Sequence, residues 1–190
     1  LSDSIRIQLR SDVPLGFHLS GGLDTASIAC FARKILPELK MHTFTGGFRE
    51  GSVFDDTAFA RITSKRVRSI HHEIFPDAKD FTDTFEKIMW FMDEPAAAPG
   101  IFPQYFVSRL AAENVKVVLG GQGADELLGG YVRHYLLYYE AALKAEVSGE
   151  KQLTDISIRE LTENIEQLKG YAPLMKSFFS SQLSESHSGS

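Results

Sequence analysis

Residues 13–25 read Val-Pro-Leu-Gly-Phe-His-Leu-Ser-Gly-Gly-Leu-Asp-Thr, and this run constrains everything around it. Val13 to Leu19 is apolar enough for a short buried strand. Ser20, Gly21 and Gly22 make a turn that larger side chains would crowd. Thr25 to Leu36 predicts a helix with Ile28, Phe31, Ala32 and Ile35 on one face. A strand, a glycine turn and a helix N-terminus in that order present backbone N–H groups to a phosphate. The run contains neither a glycine loop ending in Gly-Lys-Ser/Thr nor Gly-x-Gly-x-x-Gly. The plain structural alternative is a glycine-rich strand–helix turn that binds nothing.

Alternation continues along the chain. Ser2 or Asp3 can cap a first helix ending near Arg10, with Leu1, Ile5 and Leu9 at helical spacing. Pro37 stops the helix after the glycine turn. Met41 to Thr45 is a second strand candidate, ending in Gly46-Gly47. Asp55 caps a helix carrying Ala58, Phe59 and Ile62, and Ile70 to Phe75 alternates as a third strand. Phe81, Phe85, Ile88 and Met92 form a helical stripe that Asp93-Glu94-Pro95 ends. Ala96 to Phe102 reads as a loop, and Pro103 opens a helix at its first turn, running to about Glu113. Val115 to Leu119 is the next strand, followed by a second glycine turn at Gly120-Gly121-Gln122-Gly123. Asp125 to about Glu146 is helical with a break at Gly129-Gly130, and Ile158, Leu161, Ile165 and Leu168 mark a last helix. Strands alternating with helices predict an α/β fold, a parallel twisted sheet with helices on both faces. In such sheets ligands sit beyond the carboxyl ends of the strands, where both glycine turns fall.

The chain has 190 residues, 43% of them hydrophobic, which suits one α/β domain with a sizeable core. A formal charge of −5 argues against a nucleic-acid or polybasic membrane surface. The single cysteine, Cys30, excludes an intramolecular disulfide and a Cys-rich zinc site, and is read as a small buried hydrophobe of the helix after the turn. With no leader or apolar run long enough to span a bilayer, a cytoplasmic setting is expected. The chain begins at Leu1 inside expected structure, as an excised piece of a longer protein would. Residues 1–176 are expected to form a partial domain and 177–190, serine-rich, a flexible tail.

Ser20, Gly21, Gly22, Asp24 and Thr25 match Ser-Gly-Gly-x-Asp-Ser/Thr, which resembles the pyrophosphate loop of the N-type ATP pyrophosphatases. The stretch from Gly120 to Tyr131 resembles the Ser-Gly-Glu/Asp-Gly-x-Asp-Glu-x-x-Gly-Gly-Tyr segment of the asparagine synthetase synthase domain. Arg10 to Gly16, His42 to Thr45, His71-His72-Glu73 and Asp93-Glu94-Pro95 stand in the same order as in that family, so the resemblance covers roughly residues 1–140. It implies an adenine nucleotide α-hydrolase-like (ATP pyrophosphatase) fold. It also implies a reaction: ATP adenylates the aspartate side-chain carboxylate with release of pyrophosphate, and ammonia displaces AMP to give asparagine. In the full enzyme a glutaminase domain with an N-terminal cysteine nucleophile makes the ammonia from glutamine. That domain is absent from this chain, and so is a lysine the family uses downstream, for which Lys144, Lys151, Lys169 and Lys176 stand too early. The implied partners are ATP, aspartate, ammonia and the glutaminase domain, with no nucleic acid and no membrane; a homodimer stays open.

The resemblance also implies site residues. Ser20, Gly21 and Gly22 cradle the pyrophosphate, and Asp24 and Asp125 are the carboxylates matched to Mg2+, which bridges the phosphates. The plain alternative for Asp125 is a helix cap; for Asp55-Asp56 and Asp93-Glu94 capping and solvated ends are the better reading. Leu19 matches the residue whose main chain meets the adenine. Gly46 matches a second-strand position that is usually branched aliphatic. Gly120 and Gly121 match the Ser-Gly near the ribose and α-phosphate, with Gly120 lacking the hydroxyl. Gln122 stands at the catalytic position where the family places Glu or Asp. A neutral amide neither accepts a proton nor holds a cation by charge, and losing a general base costs about 10²–10⁴ in rate. His71 and His72, adjacent on a strand, point to opposite faces and are read as structural. Two other readings follow from the departures: an amidotransferase acting on another carboxylate, and a nucleotide-binding module without synthetase activity. Argininosuccinate, GMP and NAD synthetases share the first loop alone.

Overall fold

The computed structural model of the chain describes residues 1–49, 55–94 and 100–148. The chain divides into two compact units, Leu1–Gln122 and the part from Gly123 onward. The first unit opens with α1 (Ser2–Gln8), β1 (Leu15–His18), α2 (Leu23–Ile35) and β2 (His42–Gly46). It continues with α3 (Thr57–Val67), β3 (Ile70–Ile74), α4 (Ala78–Met92), α5 (Ile101–Ala112) and β4 (Val117–Leu119). The described part of the second unit holds α6 (Ala124–Leu128) and α7 (Val132–Ser148).

The four strands form one sheet in the order β3-β2-β1-β4, every neighbour parallel. Phe17 is in register with Thr43 on β2 and Leu119 on β4. Because side chains alternate along a strand, β1 sends Leu15, Phe17 and Leu19 to one face. There they join Ile5 and Leu9 of the α1 region, Ala29 and Ala32 of α2, and Ala60 and Val67 of α3. The opposite face carries Phe44 of β2 against Val107 and Ala111 of α5 and Val115. Phe17 and Phe44 are fully buried, each removal from water being favourable by about 1.5–3 kcal/mol. Helices therefore cover both faces, as the sequence predicts.

Local expectations fail where faces had to be chosen. α1 begins after Leu1 with no side-chain cap from Ser2 or Asp3. On α3 the buried residues are Thr57, Ala60, Ser64 and Val67, while Ala58 is exposed and Phe59 and Ile62 are 60% and 65% exposed. Cys30 is exposed rather than buried, because the inward positions of α2 are Ala29 and Ala32, which turns Cys30 outward at 100° per residue. Of the α4 stripe Ile88 alone is buried. Phe85, Phe81, Phe102 and Phe106 form a ladder of ring contacts, at 5.4, 5.0 and 4.9 Å, that ties α4 to α5. Ile101 and Phe102 belong to α5 rather than to a loop, with Pro103 in the helix's first turn. The break at Gly129-Gly130 separates α6 from α7. The expected helix at Ile158–Leu168 and the tail lie outside the described residues.

Candidate functional site

The sheet order decides where a ligand can sit. From β1 the chain runs outward through β2 and β3, then returns to place β4 on the other side of β1. The crevice beyond the carboxyl ends at such a reversal is where open α/β sheets bind ligands. Both glycine turns leave from those two strands.

Leu19, fully buried, gives its N–H to the Phe44 carbonyl at 2.9 Å, and its own carbonyl accepts from the Thr45 hydroxyl. Its N–H is thus engaged in the sheet, and the second lone pair of its carbonyl is what its main chain can offer a ligand. The turn that follows is stitched internally. Thr25 Oγ1 accepts from the Ser20 N–H at 3.2 Å and donates to the Gly22 carbonyl at 3.2 Å. The Ser20 hydroxyl accepts from the Gly22 N–H at 3.2 Å and lies 3.0 Å from Thr25 Oγ1. Threonine at position 25 therefore keeps the hydroxyl that fixes the turn. Gly21 has φ +92°, and a Cβ there would stand 2.5 Å from the Asp56 carbonyl oxygen, so glycine is required on both grounds. α2 has no side-chain cap, which leaves the N–H groups of its first turn open at the positive end of the helix dipole.

The second turn meets the first. A Cβ on Gly121 would stand 2.9 Å from Thr25 Cγ2 and 3.4 Å from Asp24 Cβ. Only a residue without a side chain lets the two turns approach this closely. A Cβ on Gly120 would stand 4.0 Å from His18 Nδ1. Gln122 is exposed at the end of the first unit. Asp125 belongs to the second unit, in the first turn of α6, where its carboxylate lies against Gly130; a Cβ on Gly130 would stand 2.0 Å from its Oδ1. In the same unit the Tyr131 hydroxyl donates to Glu126 at 2.8 Å, which holds the Glu126 carboxyl below its usual range.

Beside the first turn a cleft of about 270 Å³ is lined by His18, Leu19, Ser20, Thr45, Gly46 and Phe48, with Asp56, Gln104 and Val107 also facing it. The departure at Gly46 has a steric cause: a Cβ there would stand 2.8 Å from Val107 Cγ2. α5 supplies the branched aliphatic group that the resemblance expects from β2. Asp55 and Asp56 divide their work. Asp55 accepts from the Thr57 N–H and hydroxyl at 3.2 and 3.1 Å, while Asp56, exposed, borders the cleft. Asp56, Gln104, Val107, Phe48 and His18 are among the lining residues that sequence reasoning missed. Only His18 carried a signal, its place immediately before Leu19.

The histidine pair separates as expected. His71 faces Thr43 Oγ1 at 2.9 Å and Glu73 at 3.2 Å; His72 stacks on Phe44 with ring centres 5.0 Å apart and reaches His42 at 3.1 Å. Among the described residues no group of three or more His, Cys, Asp or Glu side chains is arranged to hold a metal. Magnesium on a nucleotide does not need such a cage, since one or two carboxylates, waters and the phosphates complete its shell. Asp24, a hard oxygen donor in the first turn of α2, fits that need.

The family model described as asparagine synthase matches residues 1–187. A putative glutamine-hydrolysing asparagine synthetase 2 from Methanocaldococcus jannaschii is 40% identical over 134 residues, which are 70% of this chain and 26% of that protein. Glutamine-hydrolysing asparagine synthetase 1 of Bacillus subtilis is 39% identical over 130 residues, 68% of this chain and 20% of that one. Asparagine synthetase B of Escherichia coli is 30% identical over 176 residues, 85% of this chain and 29% of its own length. The chain thus spans between 20% and 29% of these curated relatives. With two glycine turns meeting beyond a reversal of parallel strands, and a family match along nearly its whole length, the chain belongs to the asparagine synthase family.

Proposed function

We propose that this chain is the nucleotide-binding part of an ATP-dependent carbon–nitrogen ligase acting in the cytoplasm, which adenylates the aspartate side chain and then amidates it to asparagine. The observation that carries the reading is the contact of Gly121 with Asp24 and Thr25, which brings the two motif turns together. A carboxylate is a poor electrophile, and activating it means expelling pyrophosphate with its several negative charges. The open N–H groups of the first turn of α2 face that departing charge without reorganising. Ser20 and Thr25 hold the turn in shape. Leu19, Gly46 and Val107 border the cleft, which takes the adenosine in this reading; Gly120 and Gly121 are assigned to the ribose and α-phosphate by the family resemblance. Mg2+, held through Asp24, would neutralise charge on the phosphates. Ammonia, made from glutamine by the partner domain, then displaces AMP.

The full-length protein should release pyrophosphate from ATP in an aspartate-dependent manner and form asparagine when ammonia is supplied. Pyrophosphate release indifferent to aspartate would reject the reading. Asp24→Ala should weaken ATP binding in magnesium far more than in its absence, measured by calorimetry. Equal affinity of variant and wild type in magnesium would remove Asp24 from the metal site.

Gln122 supports a second reading, an amidotransferase acting on another carboxylate. Its amide keeps the size and the acceptor oxygen of Glu but not the charge. Gln122→Glu in the full-length protein separates the two. A rise in aspartate-dependent pyrophosphate release favours a weakened asparagine synthetase; no rise favours the diverged amidotransferase.

A further inference from the structure

His18 holds the one buried side-chain nitrogen or oxygen that has no hydrogen-bond partner among the described residues, its Nε2. The ring's other nitrogen is engaged. Gln104 Nε2 donates to His18 Nδ1 at 3.2 Å, and the same amide nitrogen donates to Ser108 Oγ at 3.3 Å. An Nδ1 that accepts carries no proton, so the proton of the neutral ring sits on Nε2. Burial lowers the His18 pKa and keeps the ring neutral near pH 7. The result is a donor, fixed in direction by a side chain of α5, with nothing to donate to. Such a group is costly in a folded protein unless something supplies the missing acceptor. His18 lines the cleft beside Leu19, Thr45 and Gly46, and its ring packs toward the second glycine turn at Gly120.

We infer that His18 is a specificity-determining residue that donates from Nε2 to a ring nitrogen of the bound adenine, with Gln104 as the positioning residue that sets the tautomer. This rests on the nucleotide reading above and deepens it. Phe44, Thr45, Phe48 and Val107 line the cleft and pack a base without reading it, while Ser20 and Asp56 also border it. A single directed donor adds discrimination, because a purine presents ring acceptors at fixed places around its edge.

The test uses the full-length protein with ATP and its 1-deaza, 3-deaza and 7-deaza analogues, each lacking one ring acceptor, measured by calorimetry. One analogue should bind about tenfold more weakly than ATP, the loss expected when a buried donor goes unpaired. His18→Leu should bind ATP and that analogue alike. Gln104→Ala should shrink the ratio between the affinities for ATP and for that analogue. Three analogues that bind like ATP would overturn the inference and leave the nucleotide reading standing; a water serving as the acceptor gives that result. A deficit that persists in His18→Leu would also overturn it, by assigning the contact elsewhere. Failure of ATP itself to bind the wild type would overturn the nucleotide reading and this inference with it.

Discussion

At the scale of single residues, the site is shaped more by absent side chains than by present ones. Gly21, Gly46 and Gly121 each stand where an added Cβ would lie within 3.0 Å of a neighbour: the Asp56 carbonyl, Val107 and Thr25 respectively. Gly46 is the informative case, because the atom it faces is a β-branched methyl with little freedom to move. Gly46→Val should therefore overpack the junction of β2 and α5, costing about 1–3 kcal/mol of stability and narrowing the cleft. Thermal unfolding and ATP affinity should both fall, and Val107→Ala in the same protein should restore much of each. Undiminished affinity in Gly46→Val would show that the cleft is not where adenosine lies. Asp56 illustrates the limit of residue-level reading: nothing in Asp-Asp-Thr distinguishes the carboxylate that caps from the one that borders a cleft.

At the scale of elements, the start of α4 is fixed by a local cap that the sequence reading did not single out. The Asp77 carboxylate accepts from the Asp80 N–H at 2.8 Å and Asp80 answers to the Asp77 N–H at 3.0 Å, a reciprocal cap on α4. Asp77→Ala should lower the urea midpoint by the equivalent of about 1 kcal/mol with the slope unchanged. α3 shows the opposite case. Its apolar Phe59 and Ile62 face out because the inward side meets α2 at small residues, with Ala60 against a surface containing Ala29 and Ala32, all fully buried. Its inward hydroxyl, Ser64 Oγ, lies 2.8 Å from Ser69 Oγ, which lies 2.8 Å from Thr43 Oγ1. A close helix contact selects small and hydroxyl side chains, which a search for apolar periodicity cannot favour.

At the scale of the whole molecule, the outer strand β3 is tied to α3 by charge. Arg61 of α3 grips Glu73 of β3 with two bonds, at 2.7 and 2.8 Å. That hydrogen bonding holds the Glu73 carboxyl below its ordinary 4.5. A carboxylate whose folded pKa is depressed stabilises fully above its unfolded value, and that stability is lost as pH falls through the folded value. His42 is also depressed, first by burial and then by His72 and Lys40, so its contribution is complete above 6.5 and fades as pH falls through its lower folded value. Stability should therefore decline in two windows, one opening below 6.5 and one below 4.5. Urea midpoints across pH should show a shallower second decline in Glu73→Gln. An unchanged profile would mean that the exposed half of the pair leaves it too well solvated to matter.

The sequence alone determined the strand–turn–helix units, since turn chemistry, caps and breaks act over a few residues of contiguous chain. It determined the Ser-Gly-Gly turn, the second glycine turn, the break at Gly129-Gly130 and, through shared motifs, the family. It did not determine that β4 lies beside β1, that Val107 of α5 occupies the space in front of Gly46, or that Gln104 orients His18 from 86 positions away. Those are contacts between segments distant in the chain, fixed by which surfaces pack together. No local pattern encodes them, and only the tertiary structure brought Gly121 of the second glycine turn against Asp24 and Thr25 beside the first.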